Sequence, residues 1–173
     1  MEIKWTPWRS SYIKGDSAKE DQGCPLCSAH QAKDDAQRLV LYRGSDAYVL
    51  MNLYPYNPGH LMIVPYEHTA EFDTLPAETA AEIMRLGQIS TRILTETMQP
   101  HGFNLGMNLG RVAGAGIDEH LHLHVVPRWN GDTNFLPLIA GVKLVPEAID
   151  DTYAALQPHF AQLNGNSGET QER

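Results

Sequence analysis

Along residues 38–52, RLVLYRGSDAYVLMN, two apolar runs flank the polar triplet Gly44-Ser45-Asp46. That is the pattern of two strands joined by a tight turn. YPYNPG at 54–59 carries two prolines, an asparagine and a glycine and reads as a turn. HLMIVP at 60–65 is a short apolar run closed by Pro65, as in a buried strand. The period then changes. From Pro76 to Met98 the positions Ile83, Leu86, Ile89 or Ser90, Ile93, Leu94 and Met98 recur at steps of three and four, which predicts an amphipathic helix. Pro76 and Glu78 suit its first turn and Pro100 follows its end. FNLGMN at 103–108 reads as another strand, LGRVAGAGIDE at 109–119 as a glycine-rich loop, WNGDTNF at 129–135 as a loop, and 147–163 as a last helix.

The strands follow one another through short turns, apart from the helical crossover. This predicts an α+β fold: a mainly antiparallel five-stranded sheet with one long and one shorter helix packed on it. A chain of 173 residues is most simply one domain, here 1–163 with its core in 20–135. The polar stretches GDSAKEDQG at 15–23 and NGNSGETQER at 164–173 read as a loop and a disordered tail.

Composition narrows the function classes. The apolar share, 42%, suits a packed core, yet no run approaches the ~20 apolar residues of a membrane-spanning helix. MEIKWTPWRSSYIK at the start lacks the apolar core and cleavage site of a secretory signal, so the expected location is the cytoplasm. A net charge of −8 argues against non-specific nucleic-acid binding, though a locally positive site could still take a small phosphorylated ligand. The only two cysteines, Cys24 and Cys27 in CPLC, have a spacing that suits metal binding or redox work better than a structural disulfide.

The chemistry concentrates in DEHLHLHVVPRW, 118–129, where His120, His122 and His124 alternate with Leu121 and Leu123. In a strand over 120–128 the three imidazoles point one way and Leu121, Leu123 and Val125 the other. Val125-Val126 and the stop at Pro127 favour that strand. Three uses of such a row compete: a polar outer face of an edge strand, a metal site, and nucleophilic catalysis by a neutral imidazole that attacks phosphorus. Gly110, Gly114 and Gly116 just before the row favour phosphate chemistry, because glycine lets backbone N–H groups approach a ligand closely.

HLHLHVVPRW, with MNLYPYNPGHLMIVPYEH and NLGMNLGRVAGAG before it in order, resembles the histidine triad (HIT) superfamily of nucleotide hydrolases and transferases. The resemblance spans roughly residues 20–135. PWRSSYI near the start and PRWNGDTNF after the triad resemble the bacterial diadenosine tetraphosphate phosphorylase-like branch, related to the fragile-histidine-triad hydrolases. The resemblance implies a catalytic set of His120, His122 and His124, with His122 the nucleophile at an α-phosphate. A nucleotidyl-histidine forms and is then taken by water or inorganic phosphate. It implies that His124 hydrogen-bonds the phosphate, that Asn52 meets the ribose, and that Asn108, Gly114, Ala115, Gly116 and Ile117 line the phosphate site. It also implies a homodimer with the helix at 76–98 as interface element, and Mg²⁺ accompanying a polyphosphate substrate. One departure matters. The fragile-histidine-triad hydrolases carry a Gln four residues before the first His, where this chain has Gly116, or Ala115 if the loop holds an insertion.

Zinc-bearing relatives complete a CxxC pair with a His after the second strand and the first His of the triad. The resemblance therefore implies a structural zinc at Cys24, Cys27, His68 and His120, with His30 as rival third ligand. Other readings are a dinucleoside polyphosphate hydrolase, a nucleoside phosphoramidase, a non-catalytic nucleotide-binding protein, and a metalloenzyme using the histidine row. The phosphoramidases carry a Ser three residues before the first His, where this chain has Ile117.

Overall fold

The computed structural model describes residues 23–132 and 147–165. Apart from Gly23, the loop expected at 15–23 lies outside them, as do the end of WNGDTNF and the tail from 166. In chain order the elements are α1 (Pro25–Gln31), β1 (Val40–Arg43), β2 (Ala47–Met51), β3 (Leu61–Pro65), α2 (Ala77–Met98), β4 (Gly102–Gly106), a 3-10 turn (Arg111–Ala113), β5 (Leu123–Arg128) and α3 (Ile149–Gly165). The strands form one five-stranded sheet in the order β1-β2-β3-β5-β4, every pair antiparallel. This is the α+β architecture expected from the pattern.

The sheet has two faces with different work. Ala47, Val49, Leu61, Ile63, Leu123 and Val125 share the main core with Ile83, Leu86 and Leu94 of α2 and with Leu156 and Phe160 of α3. On the other face Val40, Tyr48, Leu50, Met62 and Val64 pack against Leu26 and Ala29 of α1. Alternation along each strand produces this split, since neighbouring residues point to opposite faces. Register then fixes where the histidines go. Val40 pairs with Leu50, Leu50 with Met62, and Met62 with His124. Directly opposed residues share a face, so His124 belongs to the α1 side of the sheet.

Three details depart from the sequence reading. α1 is a third helix, invisible to periodicity because seven residues hold barely two turns. It has no side-chain cap and rests on tertiary contacts: Tyr48 Oη donates to Leu26 O at 2.6 Å, and Arg43 Nη1 donates to His30 O at 2.6 Å. β5 begins at Leu123, three residues later than the strand expected over 120–128. Extending the β3–β5 register would set Pro65 opposite Leu121, and proline has no N–H to continue the ladder. Residues 120–122 are held instead by other bonds, among them Leu121 N to Thr69 O at 2.7 Å. β4 likewise ends at Gly106, two residues short of the expected 108.

Turn chemistry is supplied from a distance. Glu82 on α2, buried, accepts N–H bonds from Ser45 (3.0 Å), Asp46 and Ala47 (3.1 Å), closing the β1–β2 turn. At the end of α2, Gln99 takes the left-handed conformation (φ 49°), which stops the helix one residue before Pro100.

Candidate active site and metal centre

The three alternate histidines do two jobs. His122 and His124 face a cavity, their rings 4.7 Å apart and nearly perpendicular. His120 turns towards Cys24 and Cys27, and its ring lies 5.0 Å from that of His68.

Hydrogen-bond partners assign the tautomer of each ring. The main-chain carbonyl of His120 lies 2.8 Å from His122 Nδ1. A carbonyl can only accept, so Nδ1 carries the proton and the opposite nitrogen, Nε2, carries a lone pair. His124 is set through a fourth histidine. The main-chain N–H of Tyr56 donates to His60 Nδ1 at 3.1 Å. His60 therefore holds its proton on Nε2 and donates it to His124 Nδ1 at 2.9 Å. That leaves His124 with its own proton on Nε2, as a hydrogen-bond donor. The middle histidine thus offers an electron pair and its neighbour an N–H. Burial, the larger influence, holds the His122 imidazole below its ordinary pKa, and the bond to the His120 carbonyl acts the other way.

Two cavities meet at this pair. One, of about 220 Å³, runs beneath α1 and is walled by Leu26, Ala29, Leu39, Leu50 and Met62, with His122 at its end. The other is an open groove of about 650 Å³ along β4, lined by Asn104, Asn57 and Arg128 among others. They share Tyr56, Asn108, Gly114 and His124. Across the β4–β5 pair His124 faces Gly106, so no side chain from that position overhangs its ring. The loop before the triad turns through Gly110 (φ 77°) and Gly114 (φ 91°), a conformation that a side chain would strain. At the groove's rim Asp132 accepts from Arg128 Nε at 2.6 Å, from Trp129 N and from Asn57 Nδ2, with Arg128 the chief reason its carboxyl stays ionised far into acid.

Of the residues singled out from the sequence, Asn52, Asn108, Gly114, Gly116, Ile117, His122 and His124 all line the cavity beneath α1. Ala115 is half-buried in the same loop but lines neither cavity. Sequence reasoning gave no role to His60, although the NPGH turn that carries it was in view. It also missed Tyr56 and the apolar wall from α1.

Cys24, Cys27, His68 and His120 form a second cluster, with one donor atom from each, all within 4.8 Å of one another. His30 lies elsewhere, against the rings of Tyr48 and Tyr66. Sulfur-to-Nδ1 separations are 3.3 Å for Cys24–His120, 3.2 Å for Cys27–His68 and 3.5 Å for Cys27–His120. Bonds of about 2.3 Å to sulfur and about 2.05 Å to nitrogen give a tetrahedral S–N edge of about 3.6 Å. The four donors thus stand where one tetrahedral ion would need them. His120 Nε2 lies 2.9 Å from the carbonyl of Pro65, so the proton is there and Nδ1 turns a lone pair to the sulfurs. Burial, then the neighbouring Cys24, push the Cys27 thiol up, which is the electrostatic situation a bound cation would relieve.

Comparison with known proteins agrees with this geometry. The HIT domain matches residues 33–131, and the chain belongs to that family. It is 43% identical over 166 residues to a Mycobacterium tuberculosis protein named AP-4-A phosphorylase, covering 91% of this chain and 84% of that one. A Schizosaccharomyces pombe adenosine 5'-monophosphoramidase is 28% identical over 62% of this chain and 75% of its own. Among solved structures, a zinc-bound histidine triad family protein from Mycobacterium smegmatis superposes with a TM-score of 0.65 at 26% identity, covering 83% of this chain and 96% of that one. No described helix is long and apolar enough to cross a membrane.

Proposed function

We propose that the protein is a nucleotidyl transferase that splits dinucleoside polyphosphates, diadenosine tetraphosphate in particular, with inorganic phosphate as acceptor. The observation that carries this reading is the tautomer pair: a buried, neutral imidazole with the lone pair on Nε2 at a cavity, beside an imidazole whose Nδ1 accepts from His60 and whose Nε2 therefore donates. In the first step His122 Nε2 bonds to an α-phosphorus, and the bond from that phosphorus to the bridging oxygen breaks. The departing oxygen takes the electron pair, and His124 Nε2–H lies beside the phosphoryl group to stabilise the charge. In the second step a phosphate oxygen bonds to the same phosphorus and the P–N bond breaks, returning the lone pair to His122. Diadenosine tetraphosphate and phosphate so become ATP and ADP.

The apolar cavity beneath α1 suits the retained nucleoside, with Asn52 at its ribose, and the open groove along β4 suits the departing polyphosphate. Asn108 and Gly114 line both, and Gly116 and Ile117 the first, where main-chain N–H groups can meet phosphate. Mg²⁺ would travel with the polyphosphate. The donor set and tautomer at Cys24, Cys27, His68 and His120 favour zinc, which would tie the chain together there, since four protein ligands leave no open position. A homodimer with α2 in its interface and a cytoplasmic location complete the reading.

The test is product analysis of diadenosine tetraphosphate incubated with and without phosphate. ADP plus ATP appearing only with phosphate supports phosphorolysis. AMP plus ATP without phosphate would make the protein a hydrolase instead. Cleavage of adenosine phosphoramidate with neither of these would favour the activity for which the S. pombe relative is named.

A further inference from the structure

The metal cluster and the nucleoside cavity are built from the same two pieces of chain. Cys24 and Cys27 bracket Pro25 and Leu26, and both bracketed residues line the cavity. At the other end of the cluster, His120 supplies Nδ1 to the sulfurs and its own main-chain carbonyl to His122 Nδ1. Four ligands thus join the turn that roofs the cavity to the residue that orients the imidazole at its end. Among the described residues, no hydrogen bond duplicates that join. α1 is seven residues long, below the length at which a helix is stable by itself, and it lacks a side-chain cap. Its hydrogen-bonded anchors, Tyr48 to Leu26 O and Arg43 to His30 O, fix it to β1 and β2, while its link towards the triad is otherwise apolar packing on Met62, Val64 and Ile117. Without a cation, only the weak S–H···N contacts of Cys24 and Cys27 with His120 and His68 hold the cluster together, far weaker than bonds to a metal.

We infer that metal at Cys24–Cys27–His68–His120 and nucleotide in the cavity bind cooperatively, so that the centre positions the active site as well as bracing the fold. This rests on the proposed zinc and nucleotide readings. A metal that holds α1 against the triad prepays part of the ordering a nucleotide needs. By linkage, a nucleotide that packs on Leu26 and Ala29 must then hold the metal more tightly by the same factor. His120 is accordingly a positioning residue, acting on the substrate through His122.

The experiment uses the zinc-loaded chain and AMP as probe. Zinc release to a chromogenic chelator is timed with and without saturating AMP, and AMP affinity is measured by calorimetry for loaded and chelator-stripped protein. The expected result is slower zinc release with AMP bound and a lower AMP affinity without zinc, the affinity change lying between about fivefold and about a hundredfold. Cobalt in place of zinc adds a spectroscopic check, because AMP should shift its thiolate bands although it touches no ligand. Should stripped protein unfold, the release rates and the cobalt spectrum of the loaded protein still decide. Equal zinc release and an unmoved cobalt spectrum with AMP demonstrably bound overturn the coupling and leave the nucleotide reading intact. Absence of AMP binding to the loaded protein overturns both.

Discussion

His60→Phe is the most searching perturbation of the proposed mechanism, because His60 itself lines neither cavity and reaches the reacting atoms through its neighbours, His124 chief among them. The ring it replaces is fully buried, so Phe keeps the shape while removing both nitrogens. Three partners lose their bonds: the N–H of Tyr56, at 3.1 Å, Nδ2 of Asn52, at 3.4 Å, and Nδ1 of His124, at 2.9 Å. Each buried group left unsatisfied costs about 1–3 kcal/mol. With relaxation at Tyr56, about 2–4 kcal/mol in all is reasonable, which in a chain this size lowers Tm by about 4–16 °C. The protein should therefore still fold at room temperature. Turnover should fall further than stability suggests. Without a donor at Nδ1, His124 is free to hold its proton there and turn a lone pair to the phosphate. One net hydrogen bond of about 0.5–1.5 kcal/mol shifts that tautomer ratio by about two- to tenfold, and loss of ring orientation adds to it. A drop in kcat of about 10–100-fold with KM little changed is expected. The assay is diadenosine tetraphosphate phosphorolysis, beside nitrogen NMR of the histidine side chains to report the tautomers. A folded His60→Phe protein with normal kcat, or with His124 still protonated only at Nε2, would refute the relay.

Other outcomes follow from the same geometry. His122→Asn should fold, bind nucleotide and keep its zinc, while turnover falls by on the order of 10⁴-fold or more, as for loss of a nucleophile; near-normal turnover would end the covalent mechanism. Purified protein should carry about one zinc per chain by elemental analysis, and Cys24→Ser should lose it and melt earlier. Metal that disappears with His122 and survives Cys24→Ser would move the site to the histidine row. Glu82→Gln tests the turn between β1 and β2. Burial alone would raise the Glu82 carboxyl, but the N–H groups of Asp46, Ser45 and Ala47 and the Arg85 guanidinium together hold it below its ordinary 4.5. Its contribution is therefore complete above pH 4.5 and fades as the pH falls through the lower folded value. Thermal melts should show the variant less stable by about 2 kcal/mol at neutral pH, with the gap narrowing in acid; a gap that widened in acid would contradict this.

Much of this protein is legible along the chain because its determinants are local. The apolar runs within 38–52 and at 60–65 and the three-four spacing of 83–98 are each local to their elements, and alternation alone puts Leu123 and Val125 in the core and His124 on the opposite face. The row of histidines, the CxxC pair and the glycine loop could be read in the same way, as could their likeness to the HIT family. What needed tertiary structure depends on partners far away in sequence. Three histidines of identical spacing take different tasks only because Pro65, 55 residues before His120, offers a carbonyl to its Nε2, and Cys24, 96 residues before, offers sulfur to its Nδ1. His124 owes its tautomer to His60, 64 residues away, which in turn owes its own to the N–H of Tyr56. α1 has too few residues for a period and exists because Tyr48 and Arg43 bind its carbonyls. A sequence shows which side chains can bond; which nitrogen keeps the proton is decided by the atom placed opposite it, and only the folded chain supplies that atom.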